Sequence, residues 1–562
     1  MFRNTPKHKQ VDLFSGVSTI LEGKSLSGYK DECGWHNQFR KQIISRLDES
    51  VFKVLYSKKM GAPNASISVM VGMMILKEAF GWSDAQLFEN CRYNLLVRSA
   101  LGLFNLSDEI PAESTYYLLR RHVHTYEREH GENLLERVFE SVTRDQIKEF
   151  EVSGEQIRMD SKLLGSNIAW YSRYEIIHQT LVLFYKKMSK TQYRLLSDQE
   201  KQELESLVTE EAQKTVYRST KQDIQTRLKT IGSLIYKLLQ LYTGSEIEAY
   251  KLLKRVFEEQ YEVVDQNAEL RSREKIESGS VQSPHDPDSS YRNKAGQKVK
   301  GYSLNVTETT SDESLDLITN IQLEKANVAD THFVEPAIRS TEELTGSRVK
   351  KVYADGAYQS PDNDDFCKNI DMVFTGMQGA ASRYDLLLTS PEGLWVTDTK
   401  TGNCLLARKV KKLKNSKEDR WVIGHGKDSI YFGQQAIRAS YLRRIMKKRP
   451  IEELQKRNNV EATIFHMGCL LRNGKSKYRS LFKNNIWAIC RAFWVNLIRI
   501  INYVTKLLDN TLKKSANRVS TIIFQLITEL INALNQFLRQ NMHELAEMIH
   551  FSAFNQKSKT YF

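Results

Sequence analysis

Residues 349–360 read VKKVYADGAYQS, and this stretch decides the fold. The run VKKVYA has the composition of a short buried strand, and the strand closes on Asp355. Gly356 follows at once, so small residues leave open space beside the carboxylate. Ligands of α/β sheets bind outside the carboxyl ends of the strands. The stretch therefore predicts a strand whose end carries a functional acid.

The elements around this stretch alternate between strands and helices. The predicted elements are a strand at 156–163, hairpin strands at 299–308 and 314–323, a helix at about 331–344 capped by Asp330 or Thr331, the strand ending at Asp355, a short helix after Pro361 and a strand at 370–376. Helical crossovers are present where parallel pairing needs them, and the first and fourth strands can lie side by side. The sequence thus predicts an α/β fold, a mixed sheet flanked by helices.

Two further carboxylates accompany Asp355. Asp160 lies in QIRMDSKLL at the end of the first strand, and Glu461 lies in KRNNVEATIF. We place Glu461 on the apolar face of a long helix, a face that it shares with Leu454, Ile464, Phe465 and Gly468. Three such acids can hold two magnesium ions, which activate an attacking oxygen and stabilise a leaving oxygen of phosphate. Asp160, Asp355 and Glu461 are therefore the predicted catalytic residues and metal ligands.

Each of these acids also has an ordinary structural explanation. Arg457 stands four residues before Glu461 and could form an ion pair with it along a helix. An aspartate after a strand most often caps a turn. Three acids in this order of elements are a far more specific signal than any one of them.

Several segments, spread over most of the chain, match the pattern of one enzyme family. They are GWSDAQLFENCRYNLLVRSALGL (81–103), ESTYYLLRRHV (113–123), RMDSK (158–162), PDSSYRNKAGQKVKGYSLNV (287–306), YADGAYQS (353–360), the R-x-x-x-E pair Arg457 and Glu461, and the basic run RNGKSKYR (472–479). The chain resembles the bacterial insertion-sequence transposases of the DDE class, which have an RNase H-like catalytic core.

The resemblance implies a specific chemistry and specific partners. It implies two divalent metal ions, Mg²⁺ or Mn²⁺, cleavage at the transposon ends by water, and attack of the resulting 3′-hydroxyl on target DNA. The expected partners are double-stranded DNA, as terminal inverted repeats and target, and a second copy of the chain. Two positions depart from the family pattern. Leu454 stands where some groups have a tyrosine, and Gly468 stands where a lysine is expected, with Lys475 or Lys477 as candidate substitutes.

The chain divides into three predicted domains. They are a helical N-terminal DNA-binding domain at 1–150, a catalytic domain at 151–480 and a helical C-terminal region at 481–562. Two insertions are predicted within the catalytic domain, a helical one at 174–275 and a basic, β-rich one at 377–450. The N-terminal helices could form a helix-turn-helix-like reader or a plain bundle, which periodicity alone does not separate. The helical insertion, or an amphipathic helix at 517–549, is the expected dimer interface.

Composition favours a polyanionic partner. The net charge is +14 and the isoelectric point about 9.2, which suits nucleic acid. The six cysteines show no C-x-x-C spacing, so we expect reduced thiols and a cytoplasmic, nucleoid-associated protein. The apolar stretch 485–504 carries Arg491, Asn496 and Arg499, which argues against a membrane span. Without a Walker A or GxGxxG motif we expect no nucleotide cofactor.

Clusters of Lys and Arg residues form the remaining candidate site, for contact with DNA. The alternative is that these residues form an ordinary solvent-exposed charged surface. The predicted DNA-binding residues are Arg120, Arg121, Lys409, Lys411, Lys412, Lys414, Arg443, Arg444, Lys447, Lys448, Arg457, Lys475 and Lys477. We interpret Trp421 and Tyr431 as core aromatics, with stacking on a flipped base as the alternative. His332 could lie near the metals but is more typical of a helix start.

Two other functions stay open at this point. One is a host-adapted, metal-dependent nuclease without strand transfer, and the other is an inert DNA-binding repressor. Intact Asp160, Asp355 and Glu461 count against the repressor. Inverted repeats flanking the gene would distinguish the transposase from the nuclease.

Overall fold

The structure is a computed structural model that describes residues 1–511 and 525. The exceptions are residues 7–10, 13–14, 58–60, 295, 313–314, 378–382, 391–392 and 411–418. Contacts group the chain into two units, Met1–Arg499 and Ile500–Phe562. In the second unit the described residues 500–511 are helical. The predicted amphipathic helix at 517–549 lies outside the described residues, apart from the single position 525.

The N-terminal part of the first unit is helical, as predicted. Its buried helix is followed by Gly81, which adopts the left-handed conformation (φ 70°) that ends many helices. Ser83 and Gln86 then form the predicted capping box, each side chain bonding to the other residue's backbone N–H. The helices are α1 (Val17–Ile20), α2 (Gly23–Lys30), α3 (Trp35–Gln42), α4 (Ile67–Phe80), α5 (Asp84–Tyr93), α6 (Leu95–Ala100), α7 (Glu113–His130) and α8 (Leu134–Glu149).

A helical insertion follows the first strand, β1 (Gln156–Gly165), but it is not wholly helical. The elements are α9 (Arg173–Lys187), α10 (Lys190–Arg194), α11 (Asp198–Thr209), α12 (Ala212–Arg218), α13 (Lys221–Leu241), α14 (Glu248–Gln260), β2 (Tyr261–Val264) and β3 (Asn267–Leu270). The prediction of helix up to residue 275 was wrong, because Asp265 and Gln266 take positive φ angles and turn the chain into a hairpin.

The rest of the central α/β region follows the predicted order of elements, preceded by one short strand at Ser290–Lys294 that was not predicted. It comprises β4 (Ser290–Lys294), β5 (Gln297–Thr309), β6 (Ile318–Lys325), α15 (Val334–Thr345), β7 (Lys351–Asp355), α16 (Pro361–Phe366) and β8 (Asp371–Thr375). A short 3₁₀ turn, Asp330–Phe333, precedes α15, and neither Asp330 nor Thr331 caps that helix. The Asp330 carboxylate instead pairs with Arg292 at 3.0 Å.

The sheet runs in the order β6-β5-β1-β7-β8, with β4 beside the first residues of β5. Strand β5 is antiparallel to β1 and β6, whereas β7 is parallel to β1 and β8 is parallel to β7. The first and fourth predicted strands therefore pair, as expected. From Lys300 onward β5 is buried, which is typical of a central strand covered on both faces.

The second insertion is a separate antiparallel sheet followed by helices. The elements are β9 (Tyr384–Leu388), β10 (Leu394–Asp398), β11 (Cys404–Val410), β12 (Arg420–Ile423), β13 (Ile430–Gly433), α17 (Gln434–Lys447), α18 (Ile451–Gln455) and α19 (Asn458–Gly468). The sheet order is β13-β12-β11-β10-β9, and its inner face packs on α17. The helix at 434–447 departs from the prediction of a β-rich segment that extends to residue 450.

The region around the predicted catalytic helix is more broken than its sequence suggests. Two short helices, α18 and α19, replace the predicted long one, and Arg457 stands at the junction between them. Residues 481–499 are helical and close the first unit. Among the described residues no helix is both long and apolar enough to span a membrane.

Candidate active site

Asp160 is the buried member of the predicted acidic set. It lies in the middle of β1 and not at the strand end, where the sequence placed it, because the strand continues to Gly165. Only 14% of its side chain is exposed. The backbone N–H of Ser161 donates to its Oδ1 at 2.9 Å. Burial raises the pKa of the Asp160 carboxyl above its ordinary value, and the positive charge of Arg457 opposes that shift. A buried carboxylate of this kind depends on a nearby cation to stay ionised.

Asp355 ends β7, the strand next to β1, and begins a tight turn. Its Oδ1 accepts a hydrogen bond from the Ala357 N–H at 3.2 Å. A Cβ on Gly356 would lie 2.8 Å from the Cγ of Met377, so the turn has no room for a larger residue there. In this way the glycine after the acid lets the chain turn tightly at the strand end, with the Asp355 side chain 34% exposed.

Glu461 lies on α19 but not on its buried face. That helix buries Val460, Thr463, Ile464 and Met467, whereas the Glu461 side chain is 57% exposed. The placement of Glu461 on an apolar face was therefore wrong, and Phe465, one turn later, is also exposed. The physical reason is that the helix turns its Val460, Thr463 and Met467 side toward the sheet. There the Thr463 hydroxyl donates a hydrogen bond to the buried Glu308 carboxylate.

Arg457 brings the three acids together. Its Nη2 lies 2.9 Å from Asp160 Oδ2 and 3.9 Å from Asp355 Oδ2. Its Nη1 lies 3.0 Å from Glu461 Oε1, which is the predicted i,i+4 ion pair. Burial lowers the pKa of the Arg457 guanidinium, and the three carboxylates outweigh that effect and raise it. One cation thus neutralises part of a charge of minus three.

The donor set suits hard divalent ions. All three side chains offer carboxylate oxygens, the ligands that Mg²⁺ and Mn²⁺ prefer. Asp160 Oδ2 and Asp355 Oδ2 lie within about 7 Å of each other, because one guanidinium nitrogen contacts both. As they stand, no three acidic, histidine or cysteine side chains in the described chain form a closed metal cluster.

A buried ionic network, missed by sequence reasoning, holds α19 against the sheet. Glu308 of β5 has no exposed side-chain surface and accepts hydrogen bonds from Arg158 at 2.5 Å and Arg499 at 2.7 Å. Thr463 of α19 donates to the same carboxylate at 2.7 Å. Thr463 stands two residues after Glu461, so this bond fixes the helix that carries the third acid. The available signal for this network was that Arg158 precedes Asp160 by two residues, which places both charged side chains on the same face of the strand.

The predicted N-terminal cations differ in their surroundings. Arg120 is half-buried, with its guanidinium 5.7 Å from the centre of the Tyr116 ring. The negative charges of Asp84 and Glu78 act on it as well. Arg121, the next residue, is exposed. Of the two, only Arg121 is placed to meet a ligand without disturbing an internal contact.

The predicted cations before α19 also fall into two groups. Lys409 pairs with Asp419 at 3.1 Å, and Arg444 donates to the backbone oxygen of Leu386 at 3.1 Å. Arg443 likewise contacts a backbone oxygen of β9. The exposed members are Lys447 and Lys448 at the end of α17. Lys411, Lys412 and Lys414 lie outside the described residues.

The basic run after α19 is anchored to the sheet. Residues 474–476 pair with Gly165 at the end of β1, and Lys475 is exposed there. The Lys477 ammonium donates to the backbone oxygen of Gly81. Lys475 is therefore the better candidate for DNA contact, because the Lys477 ammonium already forms an internal hydrogen bond.

Three other candidates can be placed. Trp421 is 1% exposed in the core of the second sheet, as interpreted from the sequence. Tyr431 is 59% exposed, so its interpretation as a core residue was wrong. His332 is exposed in the turn before α15.

Comparison with protein families identifies the class of the protein. Residues 30–122 match the family described as Transposase domain (DUF772), and residues 276–497 match the Transposase DDE domain. Asp355 and Glu461 lie inside the second match, and Asp160 lies between the two. No curated protein and no solved structure matches the chain. With both matches in sequence order, the chain belongs to the DDE transposases of insertion sequences.

Proposed function

We propose that this transposase cuts DNA at the ends of an insertion sequence and joins the freed 3′-hydroxyl ends to target DNA. The observation that carries the proposal is the convergence of Asp160, Asp355 and Glu461 on one guanidinium, in a chain of the DDE family. Three carboxylates close together repel one another and destabilise the folded state unless a cation binds between them.

We further propose an RNase H-like core for the catalytic domain. Its support is the strand order, in which three antiparallel strands are followed by two strands parallel to the first. The predicted division into an N-terminal domain, a catalytic domain with two insertions and a C-terminal region is part of the same proposal.

The chain's own residues would have distinct tasks. Asp160, Asp355 and Glu461 would hold two Mg²⁺ or Mn²⁺ ions, which supply activation of the attacking oxygen and stabilisation of the leaving oxygen. Arg457 balances the carboxylates while they hold no metal, and it can turn to a DNA phosphate afterwards. Asp160 is fixed in a strand and Glu461 is fixed through Thr463, so two acids are held by rigid elements.

DNA contact is proposed for the exposed cations, with end recognition by residues 1–150. Arg121, Lys447, Lys448 and Lys475 are exposed and can reach phosphates without loss of an internal bond. A homodimer on two DNA ends is proposed because each acidic set acts on one end at a time. Light scattering of the protein with cleaved end DNA tests the dimer, and strand transfer by a one-to-one complex would contradict it.

The function is tested by single substitutions of the acids. Asp160→Ala, Asp355→Ala and Glu461→Ala should each lower cleavage at least about a hundredfold and leave binding to duplexes from the DNA flanking the gene nearly unchanged. Asp312→Asn is the matched control, because it removes an exposed carboxylate that pairs with Lys456, next to Arg457. Near-normal cleavage by any of the three variants would remove that residue from the site. Cleavage without joining of 3′ ends would identify a nuclease.

A further inference from the structure

Lys162 brings a positive charge to the edge of the acidic site. It follows Asp160 by two residues in β1, so both side chains leave the same face of the strand. The Lys162 side chain is half-buried and reaches the end of α19, the helix that carries Glu461. There its Nζ would lie 2.8 Å from a Cβ placed on Gly468.

Gly468 provides the space that this ammonium occupies. A glycine in a helix costs about 0.5–1 kcal/mol relative to alanine, so its presence needs a reason. The reason is not backbone conformation, since Gly468 is not among the glycines with positive φ. Any larger residue would displace the Lys162 Nζ, and the Cε would lie 3.6 Å from the same Cβ. The strand lysine and the helix glycine are therefore complementary in shape.

The Lys162 ammonium has no protein partner within the described chain. Neither a hydrogen bond nor an ion pair of the described residues involves it. The carboxylates of Asp160, Asp355 and Glu461 pair with Arg457 instead. A half-buried ammonium without a partner carries a desolvation cost that a bound anion would remove. Beside a site that acts on DNA, the available anion is a backbone phosphate.

We propose that Lys162 binds a phosphate of the DNA strand being cut, adjacent to the scissile bond, and that Gly468 keeps the place open for it. The inference rests on the proposed function. It also accounts for Gly468, which stands where the family pattern has a lysine. Lys162 would supply the missing cation there, in place of the candidates Lys475 and Lys477. The charge comes from β1 and reaches the last residue of α19, which packs on the face of the sheet. Lys162 then fixes the strand while the acids hold the metals.

A structural role for Lys162 is the alternative that an experiment must separate. A lysine near the end of a helix also stabilises the helix dipole. If Lys162 had only that role, its substitution would lower the free energy of unfolding. It would not change how strongly cleavage depends on each individual phosphate. The distinguishing measurement is therefore a scan in which single phosphates near the cut site are replaced by neutral methylphosphonates.

The test compares the full-length wild type with Lys162→Gln on duplexes from the DNA flanking the gene. We expect Lys162→Gln to cleave roughly ten- to a hundredfold more slowly, the effect of losing one charge-assisted hydrogen bond. Wild type should lose activity when one particular phosphate is neutralised, and Lys162→Gln should be insensitive at that position. Lys350→Gln is the matched control, because it removes an exposed lysine that pairs with Glu155 next to β7.

Gly468→Ala provides an independent variant. Its methyl group would push the ammonium aside, so it should slow cleavage as Lys162→Gln does, and the double variant should be no slower than Lys162→Gln alone. Additive losses, or equal phosphate sensitivity of wild type and Lys162→Gln, would overturn the inference. Failure of the wild type to cleave would refute the proposed function instead. In that case the methylphosphonate scan of binding in Ca²⁺ still decides whether Lys162 contacts a phosphate.

Discussion

Replacing Arg457 by glutamine should make stability depend on magnesium. Arg457 is the cation shared by Asp160, Asp355 and Glu461. Arg457→Gln removes that charge and leaves three carboxylates facing one another. If the guanidinium stands in for metal, bound Mg²⁺ should restore much of what the substitution removes.

The magnitude follows from burial. The Asp160 pair dominates, since its two side chains are only 14% and 13% exposed and 2.9 Å apart. Removing one partner of a buried pair costs about 3 kcal/mol or more. The Glu461 pair adds less than about 1 kcal/mol, because that side chain is 57% exposed and screened by water. We expect a loss of about 3 kcal/mol in EDTA.

Magnesium should reduce this loss. A ligand at a hundredfold excess over its Kd stabilises the folded state by about 2.7 kcal/mol, and a tenfold tighter site adds about 1.4 kcal/mol. Without the competing guanidinium, Arg457→Gln should bind Mg²⁺ at least about tenfold more tightly than wild type. The deficit should therefore shrink by at least about 1.4 kcal/mol between EDTA and saturating Mg²⁺.

The assay is denaturant unfolding of the full-length protein in EDTA and in Mg²⁺. Arg449→Gln is the matched control, because Arg449 also bridges two carboxylates, Asp371 and Glu453, but lies away from the three acids. It should lose stability equally in both conditions. The reasoning would be refuted if the two variants responded alike to Mg²⁺, since Arg457 would then be an ordinary structural arginine.

Three further outcomes are expected. Cleavage should require Mg²⁺ or Mn²⁺, with Ca²⁺ supporting only binding, and full cleavage in EDTA would exclude the two-metal mechanism. The double variant Lys447→Gln/Lys448→Gln should weaken binding to all DNA alike and lower the log–log salt slope by about 0.9 for each phosphate that is no longer bound; a weakening confined to one sequence would contradict backbone binding. Thr463→Val removes a hydrogen bond to the buried Glu308 carboxylate, so it should cost roughly 1.5–3 kcal/mol of stability and also slow cleavage well below the melting temperature. Unchanged cleavage in a destabilised variant would show that this bond does not position Glu461.

Local patterns were enough to predict most elements of the core. The strand ending at Asp355 and the pair of strands that follows residue 297 are present, because apolar runs between turn residues depend on near neighbours alone. The capping box at Ser83 was predictable for the same reason. Patterns did not reveal the hairpin at 261–270, where two residues with positive φ interrupt what reads as helix.

The side of a helix that faces the core was not predictable from the sequence. Glu461 and Phe465 were predicted to share a buried helix face with Ile464, yet only Ile464 is buried. Their helix is oriented by Thr463, whose hydroxyl finds the Glu308 carboxylate in a strand 155 positions away along the chain. Contacts over such separations leave no local signature, so periodicity cannot report them.

The sequence by itself determined which acids this transposase has and on which elements they stand, since motifs and strand patterns are local properties of the chain. Only the tertiary structure decided that Arg457 lies among all three acids and that Lys162 fills the space left by Gly468. The physical reason is that distances between side chains on different elements depend on strand pairing and helix packing. Pairing of β1 with β7, and packing of α19 on the sheet, set those distances.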